Sequence, residues 1–166
     1  MVVGLDRWEQ AVLVKWKSLR LLNRYIQREM DRINQACFGG SLDPPKILID
    51  RMRYSRNWEG GFSGARYLPP NGTRPASIQI FPLLLLKKRD VRAAVGHELI
   101  HHWEQGTPVA DRTYLYPHII DEVIFQRIAD RARREHWLET HGPRFLMKSC
   151  EVAEFLDLPV RDFLFR

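Results

Sequence analysis

Val91–Gln105 reads VRAAVGHELIHHWEQ, and at its centre His97-Glu98-Leu99-Ile100-His101 is an H-E-x-x-H motif. Two residues four apart on a helix point the same way, one turn above the other, so both imidazoles can reach one metal ion. Glu98 is rotated about 100° from His97 at 3.6 residues per turn, so it flanks such an ion and need not bind it. In this chemistry the two histidines hold Zn²⁺, which lowers the pKa of a bound water. The glutamate takes the proton as that water attacks a carbonyl. The helix is predicted from Asp90 as N-cap, followed by Val91, Ala94, Val95 and Leu99 at helical spacing, a face directed at the core. Gly96 weakens the helix slightly, but its missing side chain lets another element approach the metal closely.

The surrounding 166 residues are enough for one domain with a sizeable core, and 45% hydrophobic with 28% charged residues is the balance of a soluble globular protein. Cys37 and Cys150 are far apart and form no CxxC pair, which excludes a zinc ribbon and a disulfide framework. Both read as buried thiols in a reducing compartment. Asp6, Arg7, Glu9 and Lys15 interrupt the N-terminal apolar stretch, so it does not read as a signal peptide, and Leu83–Leu86 is too short to span a bilayer. The expectation is an intracellular protein in cytoplasm, nucleoid or nucleus, with no membrane partner. A net charge of +6 permits a polyanionic partner without establishing one.

Upstream of the motif, residues from Asp6 to Cys37 read as helical with a break near Ser18. Leu19, Leu22, Ile26, Met30, Ile33 and Cys37 form a buried stripe, and Arg20, Arg24, Arg28 and Arg32 fall mainly on the outer face. Phe38-Gly39-Gly40 stops this helix. Lys46–Asp50, Ala65–Leu68 and Ala76–Phe81 read as three short strands, with a turn at Pro69-Pro70-Asn71-Gly72. Downstream, residues 106–117 read as a loop and His118–Trp137 as a helix. A last helix opens at Gly142-Pro143, with Phe145, Leu146 and Cys150 on its buried face, and Asp157–Arg166 is a short tail with apolar contacts. Helix, three strands, then helices is an α+β order, not βαβ.

Catalytic zinc takes three protein ligands and keeps a fourth position for water, so the motif needs a third donor. His118, Glu122, His136 and His141 are candidates, whereas His102, adjoining His101, points elsewhere. Glu104 and Thr107 occupy the offsets where metzincins carry Gly and His, which excludes that family. Glu122 lies on a helix downstream, as the third ligand does in thermolysin-like enzymes. His141 precedes a helix start, where a histidine can turn back into a pocket. Spacing alone does not choose between these two.

HELIH followed by His141-Gly142-Pro143-Arg144-Phe145, HGPRF, resembles the SprT-like metalloproteases, the group that contains Spartan. Asn34–Leu42, NQACFGGSL, is similar to that family's Asn, aromatic, Gly-Gly and Leu pattern, and KILID and a Gly-rich segment before the motif also fit, so the resemblance covers Leu19–Phe145. It implies one α+β zincin-like domain over residues 1–166: an N-terminal helix, a small three-stranded sheet, the HExxH helix and C-terminal helices. It implies one Zn²⁺ held by His97, His101 and His141, with Glu98 as the catalytic base. It further implies hydrolysis of protein substrates bound or crosslinked to DNA, a DNA-repair role with single-stranded DNA as activator. The chain departs from the family in a longer segment between His101 and His141 and in lacking the C-terminal zinc ribbon of some bacterial members.

Tyr114, Tyr116, His118 and Arg144 are candidates to stabilise the oxyanion, and nothing in the sequence ranks them. Arg53, Arg56 and Arg66 are candidate phosphate contacts and Trp58, with Phe62, a candidate stacking platform for bases. Two other readings stand beside this one: a thermolysin-like zinc peptidase using Glu122 and indifferent to DNA, and a non-catalytic zinc-stabilised nucleic-acid-binding module.

Overall fold

In the computed structural model, which describes residues 15–49, 55–56, 62–81, 87–106, 141, 143–160 and 163, the first helix, α1, spans Leu19–Cys37. Its start matches the expected break. Lys17 sits at φ +61°, outside helical geometry, and the Ser18 hydroxyl accepts from the Leu21 N–H at 3.2 Å. Leu22, Ile26, Met30, Ile33 and Cys37 are buried along one stripe, while Arg20, Arg24 and Arg28 are exposed. Arg32 turns aside to donate to the buried carboxylate of Glu29 at 3.1 and 3.2 Å.

The end of α1 explains the NQACFGGSL stretch. The N–H groups of Phe38 and Gly40 both reach the Asn34 carbonyl at 3.0 Å, through Gly39 at φ +61° and Gly40 at φ +71°. Consecutive left-handed residues of this kind are cheap only for glycine. The Asn34 side chain then clamps Leu42 from both sides: its amide donates to the Leu42 carbonyl at 2.9 Å and its oxygen accepts from the Leu42 N–H at 3.2 Å. The clamp aims the chain into β1, Lys46–Ile49, which packs against α1.

The sheet has the order β1-β5-β4, with β4 at Ala65–Leu68 and β5 at Ser77–Ile80. β5 is parallel to β1 (Ile47↔Ile78) and antiparallel to β4 (Tyr67↔Ile78). The turn between β4 and β5 closes on reciprocal main-chain bonds between Asn71 and Arg74, with Gly72 at φ +42°. The small three-stranded sheet is therefore as expected. A second sheet pairs β2, Ser55–Arg56, with β3, Phe62–Ser63.

α2, Lys88–Gly106, carries the H-E-x-x-H motif and contacts α1, β4 and α3, which spans Pro143–Phe155. Two expectations are corrected here. Asp90 is not the N-cap: the Val91 N–H already bonds to the Lys87 carbonyl at 3.1 Å, so Asp90 lies inside the first turn, where its charge still suits the helix dipole. Nor does α2 bury a single face. Every residue from Ala93 to Ile100 is buried, as in a helix surrounded by other elements. α3 opens with Pro143 at the first helical position, as expected. Its Lys148 ammonium donates to the Cys37 carbonyl at 2.9 Å, one of the orphan carbonyls at the end of α1. Cys37 and Cys150 are buried free thiols, both pushed up to about 11 by burial. The architecture is α+β. The expected helix His118–Trp137 lies outside the described residues, and among those described no helix is long and apolar enough to cross a membrane.

Replacing Asn34 with alanine removes both side of the clamp and leaves the Leu42 peptide groups half-buried without their partner. The expected loss is about 1–3 kcal/mol in denaturant unfolding, and Asn34→Asp, which sets a carboxylate oxygen against the Leu42 carbonyl, is expected to be no milder.

Candidate metal centre

α2 delivers His97 and His101 one turn apart, with their Nε2 atoms 3.2 Å from each other. His141, just before α3, brings its ring to 5.0 Å from that of His97 and 5.1 Å from that of His101. One ligand atom from each of the three lies within 4.8 Å of the others, close enough to hold a metal ion. The Phe145 ring is the floor beneath all three, with centroids 4.9, 4.6 and 4.2 Å from His97, His101 and His141. His141 and Phe145 are four apart, so the start of α3 supplies a donor and its support together.

The tautomer of His97 follows from its surroundings. Its Nδ1 is 2.6 Å from the main-chain carbonyl of Phe163, which can only accept, so Nδ1 carries the hydrogen and Nε2 keeps its lone pair for a ligand. Burial lowers His101 to about 4, helped by the like charge of His141, and burial lowers His141 to about 4. Both are thus neutral at physiological pH, as metal ligands must be. Three convergent imidazoles are a donor set that fits zinc among other transition-metal ions.

Glu98 is 4% exposed, and its carboxyl accepts from the Tyr67 N–H on β4 at 2.6 Å. Burial pushes it up to about 8, against the pull of the Tyr67 N–H and the Arg66 guanidinium. A nearby dication would favour its ionised form. Tyr67 is itself held. Its hydroxyl lies 3.2 Å from Nδ1 of His102, whose Nε2 is 2.7 Å from the Asp43 carbonyl. Because Asp43 offers only an acceptor there, Nε2 bears the hydrogen and Nδ1 accepts from Tyr67. His102 points away from the cluster, as its position beside His101 implies, and fastens β4 to α2.

The structure thus brings His97, His101 and His141 together, with Glu98 buried next to His97 along α2 and the charge of Arg66, exposed on β4, acting on Glu98. Arg144 stacks its guanidinium 3.8 Å from the centre of the Trp103 ring. Arg56 belongs to β2. Arg53, Trp58, Tyr114, Tyr116, His118, Glu122 and His136 lie outside the described residues. Sequence reasoning missed Tyr67, His102 and Phe163. Phe163 and Tyr67 act on the site through main-chain atoms, which leave no mark in residue type. For His102, the doubled His101-His102 was the available signal. Comparison of the chain with models of known families, with curated proteins and with solved structures gives no match.

His141→Ala is expected to lower zinc affinity by more than the roughly 10–100-fold that losing an outer partner costs, while Glu122→Ala leaves it unchanged; titration against a competing chelator distinguishes them. The metal-free chain should also show a signature in pH. The unfolded chain protonates His101 and His141 near pH 6.5 and the fold only near 4, so their contribution to stability falls as pH drops through that window. Glu98 has the opposite sign. Its pKa is raised from 4.5 to about 8, so its contribution falls as pH rises through that range. Two histidines outweigh one carboxyl below about pH 6.5, and the carboxyl acts alone above it. Thermal melts in EDTA should therefore peak near neutrality, and excess zinc should remove the fall on the alkaline side.

Proposed function

We propose that the chain is a zinc-dependent peptidase of the SprT-like kind, in which His97, His101 and His141 hold Zn²⁺ and Glu98 is the general base. The observation that carries this reading is the cluster of His97, His101 and His141 together with a buried Glu98 carboxyl, next to His97 along α2, that the Tyr67 N–H holds. Bound zinc would supply Lewis-acid polarisation of a carbonyl and a more acidic water. Glu98 would take the proton from the attacking water and return it to the departing amine, work for which a carboxyl held in place by the Tyr67 N–H is suited. Among the described residues β4 is the outer strand of its sheet, and it contacts α2, so an extended peptide can lie along it with its scissile bond near Glu98.

The proposed substrates are proteins bound or crosslinked to DNA, with single-stranded DNA as activator. The net charge of +6 and the exposed Arg66 next to Tyr67 support a polyanionic partner on this side of β4.

The test is cleavage of a DNA-binding protein with and without single-stranded DNA. Wild type should cleave, faster with DNA, and the DNA effect should fade steeply with salt. Glu98→Gln should retain zinc and lose turnover. Activity persisting in Glu98→Gln would refute the base assignment. Cleavage indifferent to DNA would keep the peptidase and discard the DNA role. Zinc uptake without any cleavage, by wild type and Glu98→Gln alike, would favour the binding module.

A further inference from the structure

Gly96 stands immediately before the first ligand, in the middle of a buried helix, where glycine is about 1 kcal/mol worse than alanine. Its backbone does not require it: Gly96 is absent from the positive-φ residues of the chain's described part. The reason is spatial. A Cβ at position 96 would lie 2.7 and 2.8 Å from Cε1 and Cζ of Phe163 and 3.0 Å from Cγ1 of Val152. Phe163 is fully buried, and its N–H closes a turn onto the Val160 carbonyl at 2.9 Å. That turn follows α3, where the Leu158 N–H bonds back to the Ala153 carbonyl at 2.9 Å. The carbonyl of the same Phe163 receives the 2.6 Å hydrogen bond from His97 Nδ1. One residue of the C-terminal segment therefore touches two consecutive residues of α2, its ring on Gly96 and its carbonyl on His97.

We infer that Gly96 and Phe163 form a latch that positions the metal ligand His97, so that metal affinity depends on the seating of the C-terminal segment. Phe163 is a positioning residue: its ring, seated against Gly96, sets where its carbonyl stands, and that carbonyl sets the tautomer and orientation of His97. Coupling of this kind is reciprocal, so bound metal holds the segment down as firmly as the segment holds the metal. The inference rests on the metal site of the proposed function and adds to it the element that regulates its occupancy.

The test is zinc affinity of the full chain, titrated against a competing chelator, for wild type, Gly96→Ala, Phe163→Ala and the double variant Gly96→Ala with Phe163→Leu. Both single variants should bind zinc roughly 10–100-fold more weakly. The double variant trades the added methyl for a smaller side chain and keeps the carbonyl, so it should bind roughly tenfold more tightly than Gly96→Ala alone. Leu22→Ala, a core truncation on α1, should lower the melting temperature and leave zinc affinity unchanged, which separates positioning from general destabilisation. Zinc should also slow amide exchange at Phe163 in wild type. If Gly96→Ala does not fold, Phe163→Ala, which opens a cavity and creates no clash, carries the test. Wild-type affinity in Phe163→Ala, or exchange at Phe163 unaltered by zinc, overturns the latch alone. A wild-type chain that takes up no zinc overturns the proposed function with it.

Discussion

A helix buried on all sides carries an imidazole and a carboxyl, on adjacent residues, into the core, and a buried polar group is tolerable only if it is hydrogen-bonded. His97 and Glu98 are 3% and 4% exposed, so neither can turn to water. Each is held by a main-chain group of a distant element: the Phe163 carbonyl for His97 and the Tyr67 N–H for Glu98. The rest of the architecture makes these two groups arrive. The Asn34 clamp directs the chain into β1, which sets β5 and through it β4; α3 and the turn after it bring in Phe163. Main-chain donors and acceptors suit this task because they do not titrate and have no rotamers to lose.

The same burial sets the electrostatics. It keeps His101 and His141 neutral and makes the Glu98 carboxyl reluctant to ionise. In the metal-free state the site is thus close to uncharged, the cheapest condition for buried titratable groups. A dication reverses the balance. It needs unprotonated imidazoles, which are already there, and it favours the carboxylate, which desolvation otherwise opposes. Arg66, exposed at the rim, adds a smaller pull in the same direction.

The part of the site legible in sequence is the part carried by side chains at short spacing. His97 and His101 are four apart on one helix, and that period alone puts them together. His141 required the HGPRF context, because the long stretch before it hides its position relative to His101, and local spacing weighed it equally with Glu122. The three strands of the β1-β5-β4 sheet were legible from their flanking turns and, for Ala76–Phe81, from alternation, and α1 from its apolar stripe. Asp90 was misplaced as a cap because an acid before an apolar run looks the same at the N-cap and inside the first turn, and only the Lys87 carbonyl distinguishes them. α2 looked one-faced because alanine and glycine carry no pattern, although Ala93 and Gly96 are as buried as Leu99. Phe163 was readable as an apolar tail residue, but not its carbonyl as the partner of His97.

Whether the centre suits catalysis or mere structure turns on what Glu98 does. A structural zinc site is closed by four protein ligands, and a carboxylate can supply the fourth. Here the carboxyl is committed to the Tyr67 N–H, and Tyr67 is anchored through its hydroxyl to His102 and so to the loop at Asp43. Ligating carboxylates are hydrogen-bonded as well, and what distinguishes a base is that its fastened oxygen must stand within hydrogen-bond reach of the reacting atom. In the proposed peptidase Glu98 would be that base: it sits one residue from His97 and three from His101, yet a different element, β4, holds it.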